Sequence, residues 1–204
     1  SAGSRMNDMS CSARSTFAGL VCFLVVFVSG CGSSPPVRYF SLEPMYQEIS
    51  AEAATGPMVG IGEIRSPNFR YRSQMVTRGQ GGEMITHDFL RWSEPLDQAL
   101  HRIVAANVDS LAAEMTVFSF PYDTDRMPEL EVRGSVDRFD VDASGLGVLI
   151  VQWSISDQDG QAIKSISRSR YEARSANPGD PASDVAAMNE LLAAFSRDIA
   201  DNLR

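Results

Sequence analysis

The sequence predicts an α+β fold, a mostly antiparallel sheet with two long helices packed on it in a single domain. Three observations carry this. Short stretches of alternating apolar and polar residues recur between turn-forming residues, as half-buried strands require. Two stretches, after Ser93 and after Pro181, repeat apolar residues at helical spacing. The order is strands, helix, strands, helix, with tight turns between strands, which favours a layered α+β arrangement over a doubly wound parallel one.

Arg38-Tyr39-Phe40-Ser41-Leu42 alternates and reads as the first strand. A polar connection from Pro44 to Pro57 leads to a second strand, Met58 to Ile64. Val59 and Ile61 share one face of it, and Gly60 and Gly62 lie on the other. Glycines so placed allow close packing or a bulge. After a turn at Ser66-Pro67-Asn68, Gln74–Arg78 and Met84–Thr86 form a hairpin around Gly79-Gln80-Gly81-Gly82.

The first helix follows, with Ser93 as its N-cap and Pro95 in its first turn. Leu96, Leu100, Ile103, Val104, Val108 and Leu111 make its apolar face. Asp97, Arg102 and Asp109 fall on the polar side, and His101 is assigned to the surface or flank. Met115–Phe120 is a strand ended by Pro121. Leu130–Val136 is another, and the apolar parity then slips to Phe139 and Val141, which predicts a bulge. Gly145 and Gly147 turn the chain. Leu149, Val151, Trp153 and Ile155 alternate along a long strand. Asp157-Gln158-Asp159-Gly160 makes a hairpin turn into a polar strand reaching Tyr171. Asn177-Pro178-Gly179-Asp180-Pro181 leads to the last helix, opened by Pro181 or Ser183 and lined by Val185, Met188, Leu192, Phe195 and Ile199.

Residues 1–30 read as an address and not as part of the fold. Arg14 is a short basic flank, and Met6 or Met9 is the expected translation start. The apolar run from Phe17 to Val28 has the length of a secretory core and is too short to span a bilayer. Val28-Ser29-Gly30-Cys31 then resembles the bacterial lipoprotein signal, in which the cysteine becomes the lipidated first residue. The competing reading is a short uncut anchor or a buried helix. Gly30 through Pro36 argues against it, because that stretch ends any helix. The expected organisation is a signal over 1–30, a lipidated Cys31 and tether over 31–37, and a domain over 38–204. Resemblance to these lipoproteins implies more than one acyl chain and hence stable attachment. Gly32, where an Asp would favour inner-membrane retention, implies the periplasmic face of the outer membrane.

Several chemistries are excluded. The three cysteines are Cys11, Cys22 and Cys31. Removal of two and acylation of the third leaves no thiol catalyst and no zinc–cysteine site. Residues 1–30 hold Arg5, Arg14 and Asp8, so the remainder is one unit more acidic than the chain's net −8. Without a basic patch, nucleic acid is not a partner. His87 and His101 lack spaced metal-ligating companions, so no metal or other cofactor is expected. A calcium loop starting at Asp157 fails at Ala162 and Arg168. Gly60-Ile61-Gly62 lacks the third glycine of a dinucleotide fingerprint. No nucleophile elbow occurs. No catalytic residue is assigned, and the protein is expected not to be an enzyme.

Four stretches together resemble the ABC-type transport auxiliary lipoproteins, whose best-known branch is paraquat-inducible protein C. They are Arg38–Leu42; Val59–Ile64 with Pro67, Tyr71-Arg72 and Gln74–Arg78; Arg91-Trp92-Ser93-Glu94-Pro95-Leu96; and Phe120-Pro121-Tyr122 with Val132 and the strand from Val136 to Phe139. The family often has Trp at position 122 and Ala at position 93. The resemblance implies a docking component of an intermembrane lipid-transport system. Its implied partners are an MCE-type periplasmic protein and an inner-membrane permease or ABC transporter, and a homo-oligomer is compatible with it. A lipid-binding carrier lipoprotein and a structural envelope-assembly component are the alternatives.

Two readings of the marked residues stay open at this level. Arg91, Trp92, Glu94 and Pro95 either fix a strand-to-helix turn, with Trp92 in the core and Glu94 favoured by the helix dipole, or mark a partner surface. Gln74–Arg78 either packs in the core through Met75 and Val76 or, at a sheet edge, pairs with a partner strand. The candidate partner surface is therefore Arg78, Arg91, Trp92 and Tyr122.

Overall fold

A computed structural model describes residues 34–45, 54–65, 73–123 and 127–204. Cys31 and the signal segment, most of the Pro44–Pro57 connection, the Ser66-Pro67-Asn68 turn and Tyr71-Arg72 lie outside the described residues. Val37–Arg204 forms one compact unit. Of the unit before it, Ser34–Pro36 is described and has no regular secondary structure.

The described strands are β1 (Arg38–Phe40), β2 (Met58–Arg65), β3 (Gln74–Arg78), β4 (Met84–Trp92), β5 (Thr116–Ser119), β6 (Leu130–Val141), β7 (Leu146–Asp157) and β8 (Ala162–Arg174). The helices are α1 (Leu96–Leu111), between β4 and β5, and α2 (Pro181–Leu203), after β8. The class is α+β, but the sheets are mixed. A three-stranded sheet has the order β1-β4-β3, and a five-stranded sheet the order β5-β2-β6-β7-β8.

The expectation of a mostly antiparallel sheet is corrected here. The three tight-turn hairpins, β3–β4, β6–β7 and β7–β8, are antiparallel. β1–β4, β2–β5 and β2–β6 are parallel. Parallel neighbours need a long crossover. Between β2 and β5 the chain makes the β3–β4 hairpin and the whole of α1. Local turn signals reveal hairpins, whereas a parallel pairing is chosen by contacts distant in sequence.

The bulge in β6 falls between Val136 and Arg138. It restores Phe139 and Val141 to the buried side and leaves Asp140 buried beside Arg138. β4 runs to Trp92, well past the Thr86 expected as its end, so His87 is a strand residue whose Nε2 meets Thr77 Oγ1 at 2.9 Å. Gly145 and Gly160 take positive φ in the two tight turns, which only glycine adopts without strain.

Both helices pack on the five-stranded sheet. Trp153, Phe139, Phe195, Leu149, Leu191, Ile155, Leu100 and Ile103 are all under 2% exposed between them. Trp153 and Phe195 meet edge to face at 5.6 Å, a favoured aromatic geometry. Two polar groups at the edge of this core find partners: Tyr171 Oη donates to Asp198 at 2.6 Å, and Trp153 Nε1 donates to Ser169 Oγ at 3.0 Å. The inner face of the three-stranded sheet joins the same core through Phe40, Met75, Leu90 and Trp92.

Candidate functional site

The four marked residues do not form one patch. Side chains alternate along the end of β4 that pairs with β1, so Trp92 shares the inner face with Leu90 and pairs with Phe40. Trp92 is 8% exposed, as the packing reading requires and a partner surface does not accommodate. Arg91 points the other way, onto the outer face, opposite Tyr39 and Gln74. Its Nε is shielded from solvent and has no hydrogen-bond partner among the described residues.

Arg78 is a tie between the two sheets. Its Nε and Nη2 donate to Asp140 Oδ2 at 3.1 and 2.8 Å, and its carbonyl accepts from Ala143 N at 3.0 Å. Arg138 holds the second oxygen of Asp140 at 2.9 Å. Asp140 is 3% exposed, so two guanidinium groups share one buried carboxylate. The hydrogen bond to Asp140 raises the Arg78 pKa further. This charge is already used inside the fold.

Tyr122 lies over the outer face of β2. A Cβ added at Gly60 would sit 2.5 Å from Tyr122 Oη and 2.8 Å from Pro128 Cγ, so the glycine leaves room for the ring. Tyr122 Oη donates to Glu131 Oε1 at 3.2 Å. Its ring meets Phe118 and Phe120 edge to face at 5.3 and 5.7 Å. Burial, reinforced by Glu131, raises the phenol pKa well above its ordinary range.

Phe120 borders two clefts. One, of about 600 Å³, runs over the outer face of the five-stranded sheet, where Glu131, Arg133, Gln152, Ser154 and Ile166 line it. Arg133 pairs with Glu131 at 2.8 Å, and nearby Arg168 pairs with Asp137 at 3.0 Å. This is an open surface of mixed charge that also carries Phe120, Trp153 and Ile166. The other, of about 510 Å³, lies at the N-terminus of α1 and is lined by Glu94, Asp97, His101 and Arg102. Arg102 is paired with Glu94 there.

His101 is buried, against the expectation of a surface or flank position. β5 ends opposite Ile61, so Ile64 has no strand neighbour on that side. His101 Nε2 accepts from Ile64 N at 2.8 Å. Burial lowers the imidazole pKa, against smaller opposing effects of the Ile64 backbone, Asp97 and Glu63. Nε2 is thus occupied by backbone. Helical spacing held the signal: position 101 lies on one stripe with Val104 and Val108. No group of three or more His, Cys, Asp or Glu suited to a metal occurs among the described residues. Nor is any helix among them long and apolar enough to cross a membrane.

Among curated proteins no relative matches the sequence. The fold is shared with solved structures. One crystal structure, of an uncharacterized protein, aligns with a TM-score of 0.69 and 19% identity over 83% of this chain and 100% of that one. Another, of a Xanthomonas campestris protein of the DUF330 family, aligns with a TM-score of 0.64 and 12% identity over 80% of this chain and 93% of that one. At these identities the likeness shows the fold alone. Residues 40–200 match the family described as ABC-type transport auxiliary lipoprotein component, which covers β2 through nearly all of α2. The chain belongs to the ABC-type transport auxiliary lipoprotein component family.

Proposed function

We propose that the protein is the non-enzymatic docking component of an intermembrane lipid-transport system. It is held by lipidated Cys31 on the periplasmic face of the outer membrane and receives an MCE-type conduit fed by an inner-membrane permease or ABC transporter. The observation that carries this reading is the family match over residues 40–200.

The packing favours docking over carriage. A carrier needs an apolar cavity large enough to bury most of its ligand. Here the space between helices and sheet is filled by Trp153, Phe139, Phe195, Leu149 and Leu191. The clefts bordered by Phe120 are open and mix charged with apolar lining residues. The fold's polar groups also serve structure: His101 caps a strand end, and Arg78 joins two sheets.

A pull-down of the lipidated protein from detergent-solubilised envelope tests the proposal. Recovery of an MCE-type protein together with permease or ABC components is the expected result. Phospholipid bound in stoichiometric amount without those partners would favour the carrier reading.

A further inference from the structure

We propose that β8 is a strand-addition site, whose free edge from Arg168 to Arg174 takes an extended acidic segment of a protein partner. The inference deepens the docking reading and rests on it for the identity of that partner. Three observations meet at this edge.

First, the backbone is open there. β8 ends the five-stranded sheet and pairs among the described residues with β7 alone. Leu146 stands opposite Arg174, and the next pair outward is bonded, with Ser175 N donating to Gly145 O at 2.8 Å. Bonded pairs recur at every second residue of an antiparallel ladder. Ser167, Ser169, Tyr171 and Ala173 therefore turn their amide and carbonyl groups toward β7. Arg168, Arg170, Glu172 and Arg174 turn theirs to the free edge. A row of such groups is a template for another strand.

Second, the guards stop short of this stretch. Edge strands are commonly protected by a bulge, an inward lysine or short length. The register of β8 is bulged opposite Trp153–Ser156, and Lys164 there reaches to the helix side, its Nζ 3.1 Å from Asn202 Oδ1 and over the Trp153 ring. From Ser167 to Arg174 the register is regular, and neither Pro nor Gly interrupts it. At the opposite edge of the sheet, β5 has only four residues, and Asp109 Oδ1 accepts from Val117 N at 3.2 Å.

Third, charge selects the occupant. In a chain of net charge −8, β8 carries Lys164, Arg168, Arg170 and Arg174 against Glu172. The side chains of Arg168, Arg170, Glu172 and Arg174 are all exposed, on the face away from Tyr171 and the helices. Arg168 and Arg170 make surface ion pairs with Asp137 and Glu172, which contribute little and exchange readily. Acidic side chains at alternate positions of an added strand stand directly opposite the three arginines, where cross-strand charges attract. A second copy of this edge fits poorly. Laid antiparallel over 168–174, it sets Arg168 opposite Arg174, and the two neighbouring registers set Arg170 or Glu172 opposite its own copy. Like charges so placed destabilise a pairing.

The test follows hydrogen exchange at single amides in the full lipidated chain. The probe is a short blocked peptide alternating glutamate with valine, and the control has lysine for glutamate. The glutamate peptide should slow exchange at Arg168, Arg170, Glu172 and Arg174 at least about tenfold, while Ser169, Tyr171 and Ala173, already bonded to β7, change little. The lysine peptide should leave all of them as they were. Combined Arg168→Glu, Arg170→Glu and Arg174→Glu should reverse the preference. Arg170→Pro removes an edge donor but none from the β7 ladder, and should weaken the glutamate peptide with unchanged circular dichroism. In the envelope pull-down, both variants should lose the transport components that the wild type recovers. No slowing by the glutamate peptide, or equal slowing by both peptides, would overturn the inference. Slowing that follows protein concentration without peptide would assign the edge to a second copy and overturn it too. Undiminished recovery of the transport components by both folded variants would overturn it and leave the docking reading standing. A wild-type chain that recovers none of them would sink the docking reading and the inference with it.

Discussion

Protonation of His101 would remove the acceptor on which the Ile64 amide relies. Burial holds the folded-state pKa below the ordinary 6.5, so the unfolded chain binds the proton more readily. The stability contributed by the neutral imidazole is therefore full above about pH 6.5 and is lost as pH falls through that value toward the lower folded one. Urea unfolding at about pH 8 and about pH 5.5 should show a lower midpoint in acid, and His101→Gln should flatten that dependence. An equal slope in the variant would mean that other groups carry it. Gly60 offers a second residue-scale test. Gly60→Ala places a methyl within Tyr122 and Pro128 and should destabilise by about 1–3 kcal/mol. Adding Tyr122→Ala should recover part of that loss, because the two changes share one site. Strict additivity in denaturant unfolding would contradict the overlap. The placement of Gly60 opposite Val59 and Ile61 was readable from strand parity. The ring that fills the space comes from position 122, and no local pattern announces it.

The two helices show how far local signals carry an element. α2 begins as its sequence indicates, with Pro181 in the first turn, and Asp180 Oδ2 accepts from Ser183 N at 3.0 Å. α1 does not. Ser93 lies outside the cap, where its hydroxyl meets Ser41 at 2.6 Å, and Pro95 occupies the cap position without a side-chain bond. The reason is tertiary: Ser93 N donates to Phe40 O at 2.9 Å, which draws the residue into the β1–β4 pairing. Asp180→Ala should therefore cost about 0.5–2 kcal/mol, the loss of a true N-cap. Ser93→Ala, which breaks only an exposed hydroxyl pair, should cost less than about 0.5 kcal/mol. Equal losses in thermal or denaturant unfolding would show that Ser93 caps after all. Strand ends followed the same division. The β6 bulge was legible as a slip in apolar parity, while the extension of β4 to Trp92 was not, because its pairing with β3 shifts register between Gln74 and Val76 and no steady alternation runs through it.

For the whole molecule, the decisive change lies outside the Val37–Arg204 unit. Cys31→Ala should leave an unacylated precursor that misses its membrane fraction, while the circular dichroism of the domain stays that of the wild type. Fractionation with intact-mass measurement checks both parts. Acylated, correctly sorted Cys31→Ala protein would refute the assignment of this residue as the anchor. The same separation explains why site prediction fared unevenly. Arg78, Arg91, Trp92 and Tyr122 stood out as a set, yet they occupy an inter-sheet tie, an outer face, the core and a cover over β2.

The sequence alone determined the strand and helix order, the bulge after Val136, the glycine turns, the packed faces of both helices and the family resemblance that residues 40–200 bear out. These are local regularities, written in residue spacing. Only the tertiary structure decided that β2 runs parallel to β5 and β6, that His101 is buried against Ile64, and that Asp140 binds two arginines from two sheets. Each of these joins groups far apart in the chain. Strand direction, hydrogen-bond partner and charge pairing at such points follow from which surfaces meet, and periodicity along the chain carries no record of that.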